Sequence, residues 1–224
     1  MDTIKKLSDY AILNGSTIKF MGVPKTIDND LAVTDHTPGY GSAAKYIASI
    51  TKEVIRDGLV YGTKSVTILE IMGRNAGWLT GAAALAKGED CEGPDMIFLP
   101  EIPFDVDEFM KKIEQLQKEK SSVVVAVSEG VKVADGRYVC ELTDNIDYVD
   151  AFGHRQLTGT ARYLAERISR EVGCKTRAIE FNSLQRCASH IVGRVDITEA
   201  FQVGGAAVKA AFEGETAKMI ILKR

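Results

Sequence analysis

The chain has 224 residues, 45% hydrophobic and 26% charged, with a formal net charge of −3. That is ordinary globular composition, long enough for a full core, and its charge gives no general attraction to nucleic acid or to anionic membrane. No apolar run approaches the roughly 20 residues of a spanning helix.

The first ten residues, MDTIKKLSDY, lack the apolar core of a signal peptide. Cys91, Cys140, Cys174 and Cys187 form no C-x-x-C pair and no zinc spacing, so they read as reduced thiols of a cytoplasmic protein.

Along the chain, strand and helix signals alternate. Ile4, Leu7, Ala11 and Ile12 carry helical spacing, closed by Asn14-Gly15. IKFMGV (18–23) reads as a buried strand stopped by Pro24. Ala43, Ile47, Ile50 and Val54 mark a second helix ending at Asp57-Gly58. SVTILEIM (65–72) is a continuous β-branched run typical of a strand covered on both faces. AGWLTGAAALAKG reads as a small-residue helix, with Trp78 as a packing residue.

DMIFLP (95–100) and SSVVVAVSEG (121–130) are further strands, and 106–120 an amphipathic, mostly solvated helix. ADGRYVC (134–140) is a turn or hairpin, GTARYLAERISREVG (159–173) a helix and KTRAIEF (175–181) a strand. Residues 197–214 form a helix that Asp196 is placed to cap, and AKMIILK closes the chain as a strand.

This alternation predicts an α/β fold with a mainly parallel sheet. Ligands of such sheets bind beyond the carboxyl ends of the strands. The chemistry is therefore expected in PKTIDND, GRNAG, PEIPF, SEG and NSLQR.

In PKTIDND, Asp28 and Asp30 stand two residues apart. On an extended loop they would share a face, roughly 6–7 Å apart. One carboxylate could take a proton while the other helps hold Mg²⁺, which prefers carboxylates together with substrate phosphates. Lys25 supplies a point charge and Thr26 a hydroxyl for phosphate oxygens. The set suits phosphoryl transfer to an alcohol, and equally suits a turn, where Asp and Asn bond their own backbone.

Gly73, directly after a strand, allows close backbone approach, and Arg74 is a planar cation fitted to phosphate. The helix that follows would add N–H donors, or the glycine serves only strand-to-helix packing. Glu129 at a strand end could accept sugar hydroxyls or lie solvated. Arg177 and Arg186 flank AIEFNSLQ and could clamp a phosphate or make surface ion pairs. His36, His154 and His190 are scattered, with no catalytic or metal-binding spacing.

GVPKTIDNDL, EIMGRNAGWL, VSEG and KTRAIEFNSLQR, in this order and spacing, resemble the signature of the 6-phosphofructokinase family over nearly the whole chain. The resemblance implies two Rossmann-like three-layer α/β lobes with mainly parallel sheets. One lobe would be incomplete, because the family's Gly-rich donor loop precedes the helix that opens this chain. Roughly the first hundred residues of a family member are expected to be absent, so the chain resembles a fragment. On this basis 1–38 is a remnant of the donor lobe, 39–182 the sugar-phosphate lobe, and 183–224 a return to the donor lobe.

The resemblance also implies roles. Asp28 is the base for the sugar 1-hydroxyl, Thr26 and Asp28 contact sugar and transferred phosphoryl group, and Asp30 lies near Mg²⁺. Met72, Gly73 and Arg74 bind the sugar phosphate, and Arg74 helps the transition state. Glu129, Arg177 and Arg186 complete the sugar-phosphate site, with Ser183 where ATP-using members have His and pyrophosphate-using members often have Tyr. One of the family's phosphate-binding arginines comes from a neighbouring subunit, which implies a homodimer or homotetramer.

Lys25 tilts the expected donor toward pyrophosphate, because a bare diphosphate offers no nucleoside to grip and needs an extra cation near its leaving phosphate. The expectation is a cytoplasmic glycolytic transferase moving a phosphoryl group from pyrophosphate to fructose 6-phosphate, giving fructose 1,6-bisphosphate. ATP as donor, and a truncated sugar-phosphate-binding module without catalysis, remain the alternatives. Two further departures bear on the sugar-phosphate grip. The family's arginine seven residues before Met72 falls on Ser65, beside Lys64, and CASH (187–190) stands where GGSP often follows.

Overall fold

A computed structural model describes residues 2–142 and 159–224. The backbone divides into two compact units, one of residues 1–42 with 189–224, the other of residues 43–188.

The larger unit is built on a four-stranded parallel sheet. Its strands are β2 (Ser65–Ile71), β3 (Met96–Phe98), β4 (Ser122–Ser128) and β5 (Lys175–Glu180), in the order β3-β4-β2-β5. Every residue of β2 and β4 is buried, as expected for central parallel strands covered on both faces. The register sets Ile71 beside Ser128 and Glu70 beside Glu180, so the strand ends lie level.

On one face, Val66, Ile68, Val123, Val125 and Val127 pack against α4 (Val106–Glu119) and α5 (Thr160–Glu171) through Phe109, Ile113, Leu164 and Ile168. Asp105 caps α4, accepting the Asp107 and Glu108 N–H groups at 2.9 Å each. The other face meets α2 (Tyr40–Leu59). There Gly58 lies against Ser122, and Tyr46 meets Phe181 edge to face at 5.9 Å. Residues 133–137 form the expected tight turn, with the Val133 N–H donating to the Arg137 carbonyl at 2.9 Å.

The Ala-rich segment is not one helix. It is a single turn, α3 (Trp78–Gly81), running into a 3-10 turn over Ala82–Ala86. Trp78 is not a packing residue, since 58% of it is exposed. Helix α6 (Leu184–Cys187) follows β5 directly.

The smaller unit holds α1 (Asp2–Leu13), β1 (Met21–Gly22), α7 (Arg194–Phe212) and β6 (Lys218–Met219). The strands expected over 18–23 and 217–223 are much shorter: β1 and β6 pair in parallel over two residues each. Ile18 is exposed rather than buried, because a two-stranded ladder this short covers little backbone.

Helix α7 begins after Gly193, and Asp196 does not cap it. The Asp196 carboxylate, almost wholly buried, instead accepts the Gly39 N–H at 2.8 Å, the Ser42 N–H at 2.6 Å and the Ser42 hydroxyl at 2.5 Å. It thus caps the start of α2. Across α7, Val203 and Ala207 are buried. Ile197, Phe201, Val208 and Phe212, at helical spacing on the opposite side, form an exposed apolar stripe.

Candidate functional site

The loop after β1 carries Lys25, Thr26, Asp28 and Asp30 in the smaller unit. Pro24 ends the strand and is buried; Lys25 and Asp30 are exposed, and Thr26 and Asp28 half-buried. The Thr26 hydroxyl accepts the Asp28 N–H at 3.1 Å, which closes a turn two residues long. Asn29 takes a left-handed φ of 57° and its side-chain oxygen accepts the Thr37 N–H at 2.9 Å. The loop is therefore not extended between Asp28 and Asp30, and the shared face expected from an extended run is lost at Asn29.

The larger unit gathers a second set at the carboxyl end of its sheet. Met72, Gly73 and Arg74 follow β2, Glu129 follows β4, and Ser183 and Arg186 follow β5 in and beside α6. Gly73 has φ 137°, a conformation only glycine adopts readily, and a Cβ there would come within 2.6 Å of the Ala76 carbonyl oxygen. The chain thus folds back over residues 73–77. The Glu129 N–H donates to the Ile71 carbonyl at 2.9 Å, continuing the ladder beyond β4. The Gly73 N–H points at the Glu129 carboxylate at 3.5 Å.

Three residues of the SEG and PEIPF strand ends, to which the sequence assigns no individual role, hold this turn. The Ser128 hydroxyl, fully buried, donates to the Gly73 carbonyl at 2.7 Å and accepts the Gly130 N–H at 3.0 Å. Gly130 lies directly against the Arg74 backbone: a Cβ on it would overlap the Arg74 carbonyl oxygen. The Glu101 carboxylate accepts the Gly77 N–H at 2.7 Å. The amide at the cap position of α3 is thus already taken by a side chain of the chain itself.

Glu70, within β2, is buried and accepts the Ala161 N–H at 2.7 Å and the Gly159 N–H at 3.3 Å, capping α5. Burial pushes its carboxyl up to about 7 against the lowering effect of those bonds, with Glu180 and Glu129 adding repulsion. Its only sequence cue is an acid inside an otherwise apolar strand.

Arg177 stands apart from this group. It lies within β5, level with Thr67 rather than with the strand ends, and its guanidinium sits 5.8 Å from the centre of the Tyr61 ring. Tyr61 precedes β2, so Arg177 faces toward the opposite end of the sheet from Arg186. Within this chain the two arginines do not form one clamp. Ser183 and Arg186 are exposed.

His36 pairs with Glu199 at 2.6 Å. Burial raises the Glu199 carboxyl, but its bonds to His36 and Arg224 bring it below the ordinary value. His154 lies outside the described residues.

Among the described residues no group of three or more His, Cys, Asp or Glu side chains is placed to hold a metal ion, and no helix is long and apolar enough to cross a membrane. The donor chemistry of Asp28 and Asp30 fits Mg²⁺ in the manner usual for that ion, one or two carboxylates with phosphate oxygens supplying the rest.

Comparison with known proteins bears on the family of the chain. The family model for phosphofructokinase matches residues 1–211. The chain is 40% identical over 225 residues to the pyrophosphate–fructose 6-phosphate 1-phosphotransferase of Halomonas elongata, covering 100% of this chain and 53% of that protein. It is 42% identical to the enzyme of the same name from Xanthomonas campestris, at the same coverage. The crystal structure of the pyrophosphate-dependent phosphofructokinase from Marinobacter aquaeolei superposes with a TM-score of 0.80 at 36% identity, over 100% of this chain and 52% of that one. The chain spans about half the length of the curated relatives it matches. With the motifs in order, the parallel sheets in place and the family model matched along most of its length, the chain belongs to the phosphofructokinase family.

Proposed function

We propose that this chain forms part of a transferase that moves a phosphoryl group from pyrophosphate to the 1-hydroxyl of fructose 6-phosphate. In the step, the sugar oxygen attacks one phosphorus, the bridging P–O bond breaks, and inorganic phosphate leaves. Asp28 takes the hydroxyl proton, and Lys25 offsets charge on the leaving phosphate. Gly73, Arg74, Glu129 and Arg186, with Met72 and Ser183 beside them, receive the sugar phosphate, and Thr26 contacts the transferred phosphoryl group. Arg177 serves the site of a neighbouring subunit in a homodimer or homotetramer. Mg²⁺, held by Asp30 and phosphate oxygens, supplies charge neutralisation when bound. The protein works in the cytoplasm, in glycolysis.

One observation carries the reading: a glycine turn bearing Arg74 and a carboxylate, Glu129, meet at the carboxyl ends of adjacent parallel strands, where sheets of this class bind ligands. The names and 40–42% identity of the relatives support pyrophosphate as the donor.

The test is calorimetric titration of fructose 6-phosphate into the 224-residue chain, with inorganic phosphate as control, followed by a turnover assay with pyrophosphate or ATP. Saturable sugar-phosphate binding, with any turnover favouring pyrophosphate, supports the proposal. Turnover with ATP alone would overturn the donor assignment. Absence of sugar-phosphate binding, with a cooperative melt retained, would remove the site from this chain acting alone.

A further inference from the structure

The turn that carries Arg74 is tied down at both ends by side chains that the proposed reaction does not use. At its start, Ser128 has a single hydroxyl with both capacities filled: it donates to the Gly73 carbonyl at 2.7 Å and accepts the Gly130 N–H at 3.0 Å. A wholly buried polar group at a strand end is costly unless fully bonded, and these two bonds join the turn after β2 to the turn after β4. Close packing enforces the same join, since Gly130 has no room for a Cβ beside the Arg74 backbone. At the far end, Glu101, from the turn after β3, accepts the Gly77 N–H at 2.7 Å and crowds the space a Gly77 Cβ would occupy. Between the two ties, Gly73 at φ 137° and the Ala76 carbonyl fold against each other.

We propose that Ser128 and Glu101 are positioning residues, which clamp the two ends of the 73–77 turn and so fix the Arg74 backbone where a sugar phosphate is received. The inference rests on the reading of Arg74 as a sugar-phosphate contact. Neither residue touches substrate in it; both act through the turn. Three strand ends thereby converge on one short loop: β2 supplies it, β4 ties its beginning and β3 ties its end. A displacement of about 1 Å in such a contact is enough to weaken recognition strongly.

The test uses the full chain, labelled with nitrogen-15, as Ser128→Ala, Glu101→Ala and Glu101→Gln. Two quantities are read: the amide resonances of Gly73, Arg74 and Gly77, and the dissociation constant for fructose 6-phosphate. Ser128→Ala and Glu101→Ala are expected to move the Arg74 resonance and to weaken fructose 6-phosphate about tenfold. Glu101→Gln keeps an acceptor oxygen and is expected to restore both. Glu101 lies near the surface, so its variants remain informative if Ser128→Ala does not fold.

An Arg74 resonance unmoved by Glu101→Ala overturns the clamp. Equal affinity in parent and Glu101→Ala, with the resonance moved, overturns its purpose in sugar-phosphate recognition. A parent chain that binds no fructose 6-phosphate while Arg74 still moves in Glu101→Ala, and returns in Glu101→Gln, retains the clamp and refutes the substrate reading instead.

Discussion

Glu70 and Ala161 are joined across two elements of the larger unit, with the Glu70 carboxylate accepting the Ala161 N–H at 2.7 Å. The strand that ends in the Arg74 turn therefore also caps α5. The carboxyl is raised to about 7 by burial, whereas in the unfolded chain it titrates near the ordinary value of about 4.3. Between those values the native state holds a proton that the unfolded chain has released. This contribution to stability is complete below about pH 4 and is lost as pH rises through 7, an effect on the order of 3 kcal/mol. Glu70→Gln is expected to flatten the fall in stability between about pH 4 and pH 7, measured by denaturant unfolding. Identical pH slopes in parent and variant would remove Glu70 as the source.

Gly130→Ala is expected to destabilise the larger unit by about 1–3 kcal/mol, because the added methyl meets backbone of Arg74 rather than a flexible side chain. Gly62→Ala, where nothing lies within 4 Å, is the control and should be near neutral or slightly stabilising. Thermal melts of the two variants settle the comparison: equal midpoints would mean the two turns can separate without cost.

Asp196→Ala removes the acceptor for the Gly39 N–H, the Ser42 N–H and the Ser42 hydroxyl. The expected loss is about 3 kcal/mol, at the upper end for a buried group whose partners are left unsatisfied. Asp196→Asn keeps one oxygen and should fall between. Hydrogen exchange at Gly39 and Ser42 reads the effect locally, and unchanged protection there would refute the bridge.

In a form of the protein that turns over, Asp28→Asn should cut the turnover number by about 10²–10⁴ while leaving sugar affinity nearly intact, the mark of a general base. An unaltered turnover number would end that assignment. Lys25→Gly should weaken use of pyrophosphate more than binding of fructose 6-phosphate, and equal effects on both would refute its place beside the leaving phosphate.

The central strands were legible because β2 and β4 are rich in β-branched and apolar residues on both faces, a pattern that short buried parallel strands produce and solvated elements do not. The position of Gly73 and Glu129 followed from the rule for strand ends, and the structure brings their backbone and carboxylate together. What escaped was set by partners remote in sequence. Asp196 looked like the cap of its own helix, but its bonds reach Gly39, 157 positions away. Glu101 lies in PEIPF, one of the strand ends expected to carry chemistry, but the amide it accepts stands 24 positions away and nothing local names that partner. The runs at 18–23 and 217–223 had strand composition, yet a strand needs a neighbour along its length, and β1 and β6 offer each other two residues. Asn29 broke the extended geometry between Asp28 and Asp30 by bonding back to Thr37, a choice its residue type allows but does not dictate.

The apolar stripe of Ile197, Phe201, Val208 and Phe212 on α7 is a property of the folded chain. A fluorescent dye that lights up on greasy surfaces will therefore give a signal with this protein in its native state. For this polypeptide such a signal is no diagnosis of a molten globule, which must be judged from near-ultraviolet circular dichroism instead.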